Sequence, residues 1–221
     1  MRKHYLHKAF EPQSVAVVGA SEREAAVGTQ VLGNIIRSGF EGDIYPVNPK
    51  YETIQGLRAY ASIKDIDHAI DLVVITVPAA DIPEVMRQCG DHGVGAVIAI
   101  SAGFGETGTR GISLQNEIVD IARTYHIPLI GPNCLGLIRP RVGLNASFAN
   151  SETAPGQVAL VAQSGAFCTA LLDWGASNGF GFSAVASLGA TADVGFGEVL
   201  DYLALDPETR SILLYIEGIS D

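Results

Sequence analysis

The residues best suited to chemistry in this 221-residue chain stand where apolar runs break off. Gly19-Ala20-Ser21 follows the run Ser14-Val15-Ala16-Val17-Val18. A helical repeat begins a few residues later, with Val27, Val31 and Ile35 spaced by four and Leu32 and Ile36 beside them. Strand, glycine turn and helix in that order open a nucleotide-binding α/β unit. The chemistry is anion recognition. The turn lets a phosphorylated ligand approach bare backbone, and a helix N-terminus supplies free N–H groups and positive potential. Asn48-Pro49-Lys50, Pro78-Ala79-Ala80, Ser101-Ala102-Gly103 and Pro132-Asn133-Cys134 also follow apolar runs.

Those runs predict strands at 15–18, 43–47, 71–77, 96–101 and 128–130. Between them fall helices at 27–38, stopped by Gly39, at 81–92 with Pro83 in the first turn, and at 112–125. A short helical turn is expected near 62–66. The strands are apolar throughout, which is how a parallel sheet covered on both faces reads. In such a sheet the ligand lies beyond the C-terminal strand ends, so five loops on one edge make one site. A polar stretch at 150–156 marks a boundary, and the pattern restarts. Strands are predicted at 157–162, 182–187 and 212–216, and helices at 166–177 and 195–205. That is about half of a doubly wound domain. The expectation is a fragment, or one of two subunits, whose last strand and helices expose apolar surface and self-associate.

Composition narrows the class. At 48% hydrophobic and 17% charged the chain can bury a proper core, and its net charge of −10 argues against non-specific nucleic-acid binding. Cys89, Cys134 and Cys168 form no CxxC or Cys/His cluster and read as reduced thiols. The first ten residues lack the apolar core of a signal peptide, and no apolar run reaches the roughly 20 residues of a membrane span. A soluble, cytoplasmic protein with no nucleic-acid or membrane partner is expected.

The nucleotide can be narrowed as well. A dinucleotide fingerprint wants glycines where Ser21 and Glu24 stand, and an acid at the end of strand two, where Asn48 and Lys50 stand. A cation there suits a phosphorylated ribose, which leaves NADP or coenzyme A. Lys50 is equally readable as a solvated surface lysine. An NADP oxidoreductase would also need a hydride-transfer acid/base pair, and none is evident.

In order along the whole chain stand Val17-Val18-Gly19-Ala20-Ser21, Tyr45-Pro46-Val47-Asn48-Pro49-Lys50, Ser101-Ala102-Gly103-Phe104 and Gly131-Pro132-Asn133-Cys134-Leu135-Gly136. Gly143-Leu144-Asn145-Ala146-Ser147-Phe148, Gln163-Ser164-Gly165-Ala166 and Tyr215-Ile216-Glu217-Gly218 follow. With these the chain resembles the N-terminal part of the NDP-forming acyl-CoA synthetases. It is similar also to the succinyl-CoA ligase α-subunit and to bacterial protein lysine acetyltransferases fused to a GNAT domain. The resemblance implies an α/β fold: a Rossmann-like parallel-sheet CoA-binding domain at 1–148, then part of a flavodoxin-like α/β domain at 156–221. It implies coenzyme A or acyl-CoA as ligand, with Gly19, Ala20 and Ser21 against the phosphates and Asn48 and Lys50 beside the adenosine and its 3′-phosphate. Val77, Pro78 and Ala79 would line the adenine or pantetheine wall. Ser101 and Ala102, with Asn133 and Cys134, would approach the thiol end. Nothing near Cys134 in sequence would act as its base, so a nucleophilic role is not expected.

In those synthetases a phosphohistidine carries phosphoryl between acyl phosphate and nucleotide. None of His4, His7, His68, His92 and His126 sits in such a loop. By the same resemblance Gln163, Ser164 and Gly165 open a helix whose N–H groups hold phosphoryl, and Glu217 orients the absent phosphohistidine. Ser164 also reads as an ordinary N-cap, and Glu217 as a surface carboxylate. Asp193 and Glu198 flank a loop able to close over the site. The implied activity is that of an acetate-CoA ligase (acyl-CoA + ADP + phosphate to acid + CoA + ATP), incomplete in this chain alone. ADP or ATP with Mg would then be handled by missing C-terminal domains or a partner subunit. The alternative is an acetyl-CoA-sensing region of a GNAT-type acetyltransferase.

Overall fold

The computed structural model describes residues 4–218. One helical turn, α1 (His7–Phe10), leads into β1 (Ser14–Val18), which is buried at every position. Then come α2 (Val27–Arg37), β2 (Asp43–Val47) and a small hairpin of β3 (Thr53–Ile54) and β4 (Leu57–Arg58). β5 (Leu72–Ile75), α3 (Ile82–His92), β6 (Ala96–Ala99), α4 (Thr109–Thr124) and β7 (Leu129–Ile130) complete the first unit. The strands pair in the order β2-β1-β5-β6-β7, all parallel. The chain leaves β1 for one side, then returns past it to the other. The crevice at that reversal, between the C-terminal ends of β1 and β5, is where such sheets bind ligands.

The second sheet holds the main departure from the sequence expectation. β8 (Gly136–Arg139) and β9 (Leu144–Ser147) are strands where none was predicted. They precede β10 (Pro155–Ala162), α5 (Gly165–Asn178), β11 (Phe182–Ser187), α6 (Phe196–Ala204) and β12 (Ser211–Tyr215). The order is β12-β10-β11-β8-β9, with β10 parallel to both β11 and β12 and the β8–β9 hairpin antiparallel at the far edge. The change of sheet therefore falls between Ile130 and Gly136, ahead of the expected boundary. β8 escaped notice because it ends on an arginine. Arg139 is 1% exposed, and its two terminal guanidinium nitrogens donate inside the fold to both carboxylate oxygens of Asp206, at 2.6 and 2.9 Å, and to the Ser183 carbonyl at 2.8 Å.

One apolar core joins the two sheets. Val15, Val17, Leu32 and Ile35 of the first unit pack in the same cluster as Leu137, Leu144, Val161 and Ala184 of the second. Buried Asn34 on α2 donates both amide hydrogens, to the carbonyls of Ser147 (2.7 Å) and Ala149 (2.8 Å). The opposite face of the first sheet packs under α3 and α4 around Ile75, Met86 and Ile118. At the other end of the second sheet β12 is an open edge. Leu213, Leu214 and Tyr215 are exposed, as are Trp174 on α5 and Leu205 after α6.

Candidate functional site

The reversal crevice is a cavity of about 530 Å³. It is lined by Gly19, Ser21 and Arg23 after β1, by Asn48, Pro49 and Lys50 after β2, and by Val77, Pro78 and Asp81 after β5. Gly19 takes φ +92, which an L side chain rarely adopts, and its carbonyl lies against Gly28 so closely that a Cβ there would collide with it. Gly28 is thus the close-packing glycine of the unit. The dinucleotide fingerprint would put such a glycine at position 24, but α2 begins at Val27, as its periodicity predicts, and the glycine falls at 28. Ala26 is the N-cap, and a loop intervenes.

That loop is held by its own polar groups. Ser21 Oγ accepts the Arg23 N–H at 3.1 Å and lies 3.3 Å from Tyr51 Oη, while Thr29 Oγ1 donates to the Ser21 carbonyl at 2.6 Å. Asn48 Nδ2 donates to the Ala20 carbonyl at 2.7 Å, and its Oδ1 accepts the Lys50 N–H at 3.0 Å. Asn48 is therefore a brace between the two loops. The Gly19 N–H goes to the Val47 carbonyl at 3.0 Å, whereas those of Ala20 and Ser21 have no partner among the described residues. Arg23 and Lys50 are exposed at the crevice with no ion pair to any described residue, and Asp81 lines the same space. Arg23 and Asp81 were missed, since each sits beyond a motif rather than in it.

The other expected residues lie farther along the sheet edge. Ala79 faces the next groove, where a Cβ on Gly103 would meet its own at 2.9 Å. Ser101 Oγ donates to the Val77 carbonyl at 2.6 Å, the Asn133 N–H donates to the Ser101 carbonyl at 3.1 Å, and Ala102 is exposed. Ser101 thus ties the crevice to the loop after β7. Glu106 accepts the Gly103 and Phe104 N–H groups at 2.5 and 3.2 Å. Burial pushes its carboxyl up, but these amides outweigh burial and hold it below the usual range. The Cys134 side chain turns away from this row. It is 3% exposed, its thiol donates to the Ala99 carbonyl at 3.4 Å, and burial pushes it up to about 12, so it offers neither thiolate nor ligand contact.

A second cluster forms at the C-terminal ends of β10, β11 and β12. Ser164 caps α5 by accepting the Phe167 N–H at 3.3 Å. The Gln163 N–H is committed to the Tyr215 carbonyl at 3.1 Å and is not available to a ligand, which leaves the N–H groups of Ser164 and Gly165 open among the described residues. Glu217 is exposed, and its own N–H donates to Gln163 Oε1 at 2.6 Å. The two clusters are physically joined. The Ala190 and Ala192 N–H groups donate to the carbonyls of Pro132 (2.9 Å) and Gly131 (3.1 Å), and a Cβ on Gly165 would sit 3.4 Å from Leu135.

Asp193 and Glu198 do not form a closing loop. Asp193 accepts the Leu129 N–H at 3.0 Å, and Glu198 caps α6 through the Gly195 N–H at 3.0 Å, so both fasten the loop down. The histidines lie elsewhere: His92 bonds the Ile66 carbonyl at 2.8 Å and His68 stacks on Tyr45. No described helix is long and apolar enough to cross a membrane.

A family model for a CoA binding domain matches residues 13–140, and one for a succinyl-CoA ligase like flavodoxin domain matches residues 155–221. The chain is 42% identical over 216 residues to acetate-CoA ligase (ADP-forming) I of Archaeoglobus fulgidus, covering 98% of this chain and 31% of that protein. It is 40% identical over 220 residues to the α subunit of acetate-CoA ligase (ADP-forming) I of Pyrococcus furiosus, covering 98% and 48%. The solved structure of Ca. Korarchaeum cryptofilum dinucleotide forming acetyl-coenzyme A synthetase 1, in complex with phosphate and ADP, superimposes with a TM-score of 0.94. The identity there is 36%, over 97% of this chain and 46% of that one. The chain spans less than half the length of these relatives.

Proposed function

This chain belongs to the CoA binding domain family, and we propose that it is the CoA-binding and phosphoryl-handling part of an ADP-forming acyl-CoA ligase of the acetate-CoA ligase kind. One observation carries the reading. The crevice where the first sheet reverses direction is lined by Ser21, whose backbone N–H, like that of the buried Ala20 beside it, has no partner among the described residues, and by two cations, Arg23 and Lys50, with no ion pair to any described residue. Amides and cations converging there suit a ligand with several phosphates on an adenosine. The amides take the diphosphate, and Lys50 and Arg23 the 3′-phosphate. Val77 and Pro78 supply apolar wall, and Asp81 is an acceptor for a ribose hydroxyl or the adenine amine.

From the crevice the pantetheine arm runs along the Ser101–Asn133 row toward the loop after β7, which touches the N-terminus of α5. The thiol end therefore comes near the open N–H groups of Ser164 and Gly165. A phosphoryl group seated there meets positive backbone potential on one side and Glu217 beyond it, where a carboxylate would hold an incoming imidazole in its charged form. The histidine for that step, and the site for ADP with Mg, belong to the remaining length of such a protein, so this chain alone turns nothing over. Amide chemical-shift mapping with CoA tests the seat. Shifts are expected at Ala20, Ser21, Lys50 and Val77. If CoA binds and these stay fixed while others move, the seat is wrong.

A further inference from the structure

We propose that Gln163 is a positioning residue that sets where Glu217 stands; the proposal rests on reading the second cluster as a phosphoryl site. The Gln163 amide is used completely. Oε1 accepts the N–H groups of Glu217 at 2.6 Å and Gly218 at 3.0 Å, and Nε2 donates to the Gly218 carbonyl at 2.9 Å and to Thr191 Oγ1 at 3.4 Å. A glutamine offers two lone pairs and two N–H groups, and here every one has a partner. Its pairing with Gly218 is reciprocal, so the side chain copies a peptide group and closes a small bridge onto the backbone beyond β12. Its backbone N–H adds a bond to Tyr215.

One side chain thus gathers the loops after all three parallel strands: Gln163 after β10, Thr191 after β11, and Glu217-Gly218 after β12. Thr191 sits at φ +48, an unusual backbone for a β-branched residue, which is the kind of conformation that surrounding contacts must hold. The Glu217 carboxylate has no bond to any described group. Its placement comes entirely from its backbone, and that backbone is pinned by Gln163. The amide therefore serves the site through Glu217, and not by touching phosphoryl itself. Because the Thr191 loop also bonds Pro132 and Gly131, the same clamp ties Glu217 to the loop at the thiol end of the first site.

The test is amide hydrogen exchange on the full chain, comparing the unsubstituted protein with Gln163→Ala and Gln163→Glu. Gln163→Ala should speed exchange of the Glu217 and Gly218 amides by at least about tenfold while amides of β10 and β11 hold theirs. Gln163→Glu keeps the acceptor and should restore protection to within about threefold, which space-filling alone would not distinguish. Unchanged exchange at both amides in Gln163→Ala overturns the proposal. If that variant fails to fold, the unsubstituted chain still decides. The Gln163 Nε2 protons should exchange slower than those of the other glutamines, and equal rates overturn the clamp. Titration with inorganic phosphate, followed by its own resonance, addresses the phosphoryl reading separately. Absence of binding at millimolar phosphate removes that reading, and the exchange result then stands or falls on its own.

Discussion

The side-chain amide of Asn48 donates to the carbonyl of Ala20 at 2.7 Å. This bond joins the loop after β2 to the loop after β1 at the crevice and engages the Ala20 carbonyl. The neighbouring N–H groups of Ala20 and Ser21 have no partner among the described residues, and the same asparagine accepts the Lys50 backbone N–H through its Oδ1. Asn48, which lines the crevice, thus also braces the two loops on either side of it.

Gly28→Ala separates helix propensity from packing. In an exposed helix alanine would be favoured by about 1 kcal/mol. Here its Cβ would strike the Gly19 carbonyl and come 2.8 Å from Thr76 Oγ1, and backbone cannot yield as a side chain can. Overpacking of this kind costs about 1–3 kcal/mol, so a net loss of stability in urea unfolding and weaker CoA binding are expected. A stabilised variant with unchanged affinity would show that the strand and helix can part freely.

The three thiols give a pH signature. Cys89, Cys134 and Cys168 are each pushed up to about 12 by burial, from an ordinary 9.0. Below pH 9 both states hold these protons and the thiols contribute no slope. Between 9 and 12 the unfolded chain loses protons that the folded chain keeps, so stability falls as pH rises through that window. At pH 8 a disulfide reagent should find no fast-reacting thiol in the native protein and all three after denaturation. One fast native thiol would contradict this burial.

The Arg139–Asp206 pair is closed inside the second unit, with each side chain 1% exposed. Asp206→Ala leaves the guanidinium, whose Nε already lacks a partner, with only the Ser183 carbonyl and the Glu11 carboxylate at 3.5 Å, and should cost about 3 kcal/mol in denaturant unfolding. Replacing both, as Arg139→Met with Asp206→Leu, should recover most of that loss. Equal losses for the single and double variants would mean that the pair itself is worth its full burial cost.

The open edge of β12 predicts association. Leu213, Leu214 and Tyr215 leave both faces and the free edge of a strand in water, the arrangement that recruits another chain. Sedimentation should show concentration-dependent association that Leu213→Lys with Leu214→Lys reduces. A clean monomer at high concentration in the unsubstituted chain would remove the prediction.

What the sequence made legible follows from pattern strength. Val15-Ala16-Val17-Val18 and Leu72-Val73-Val74-Ile75 are buried runs with no competing reading, so the first sheet and the loops at its C-terminal edge could be placed. Gly136-Leu137-Ile138-Arg139 could not, because a charged residue inside a core is explained only by Asp206, sixty-seven positions away. Site residues divided in the same way. The backbone at Ala20 and Ser21 was indicated by the turn after a strand. That Asn48 and Gln163 spend their amides on loops, and that Cys134 points into the core, depends on side-chain directions that spacing does not encode. Arg23 and Asp81 enter the crevice only because the chain reverses there.

The most direct measurement is calorimetric titration of the chain with CoA and with dephospho-CoA, each repeated on Lys50→Ala. CoA should bind, and dephospho-CoA should bind at least about tenfold more weakly, which is about 1.4 kcal/mol. Lys50→Ala should bring the two affinities together by weakening CoA alone. Equal affinities in the unsubstituted chain, or no CoA binding at all, would contradict the assignment of this crevice to coenzyme A.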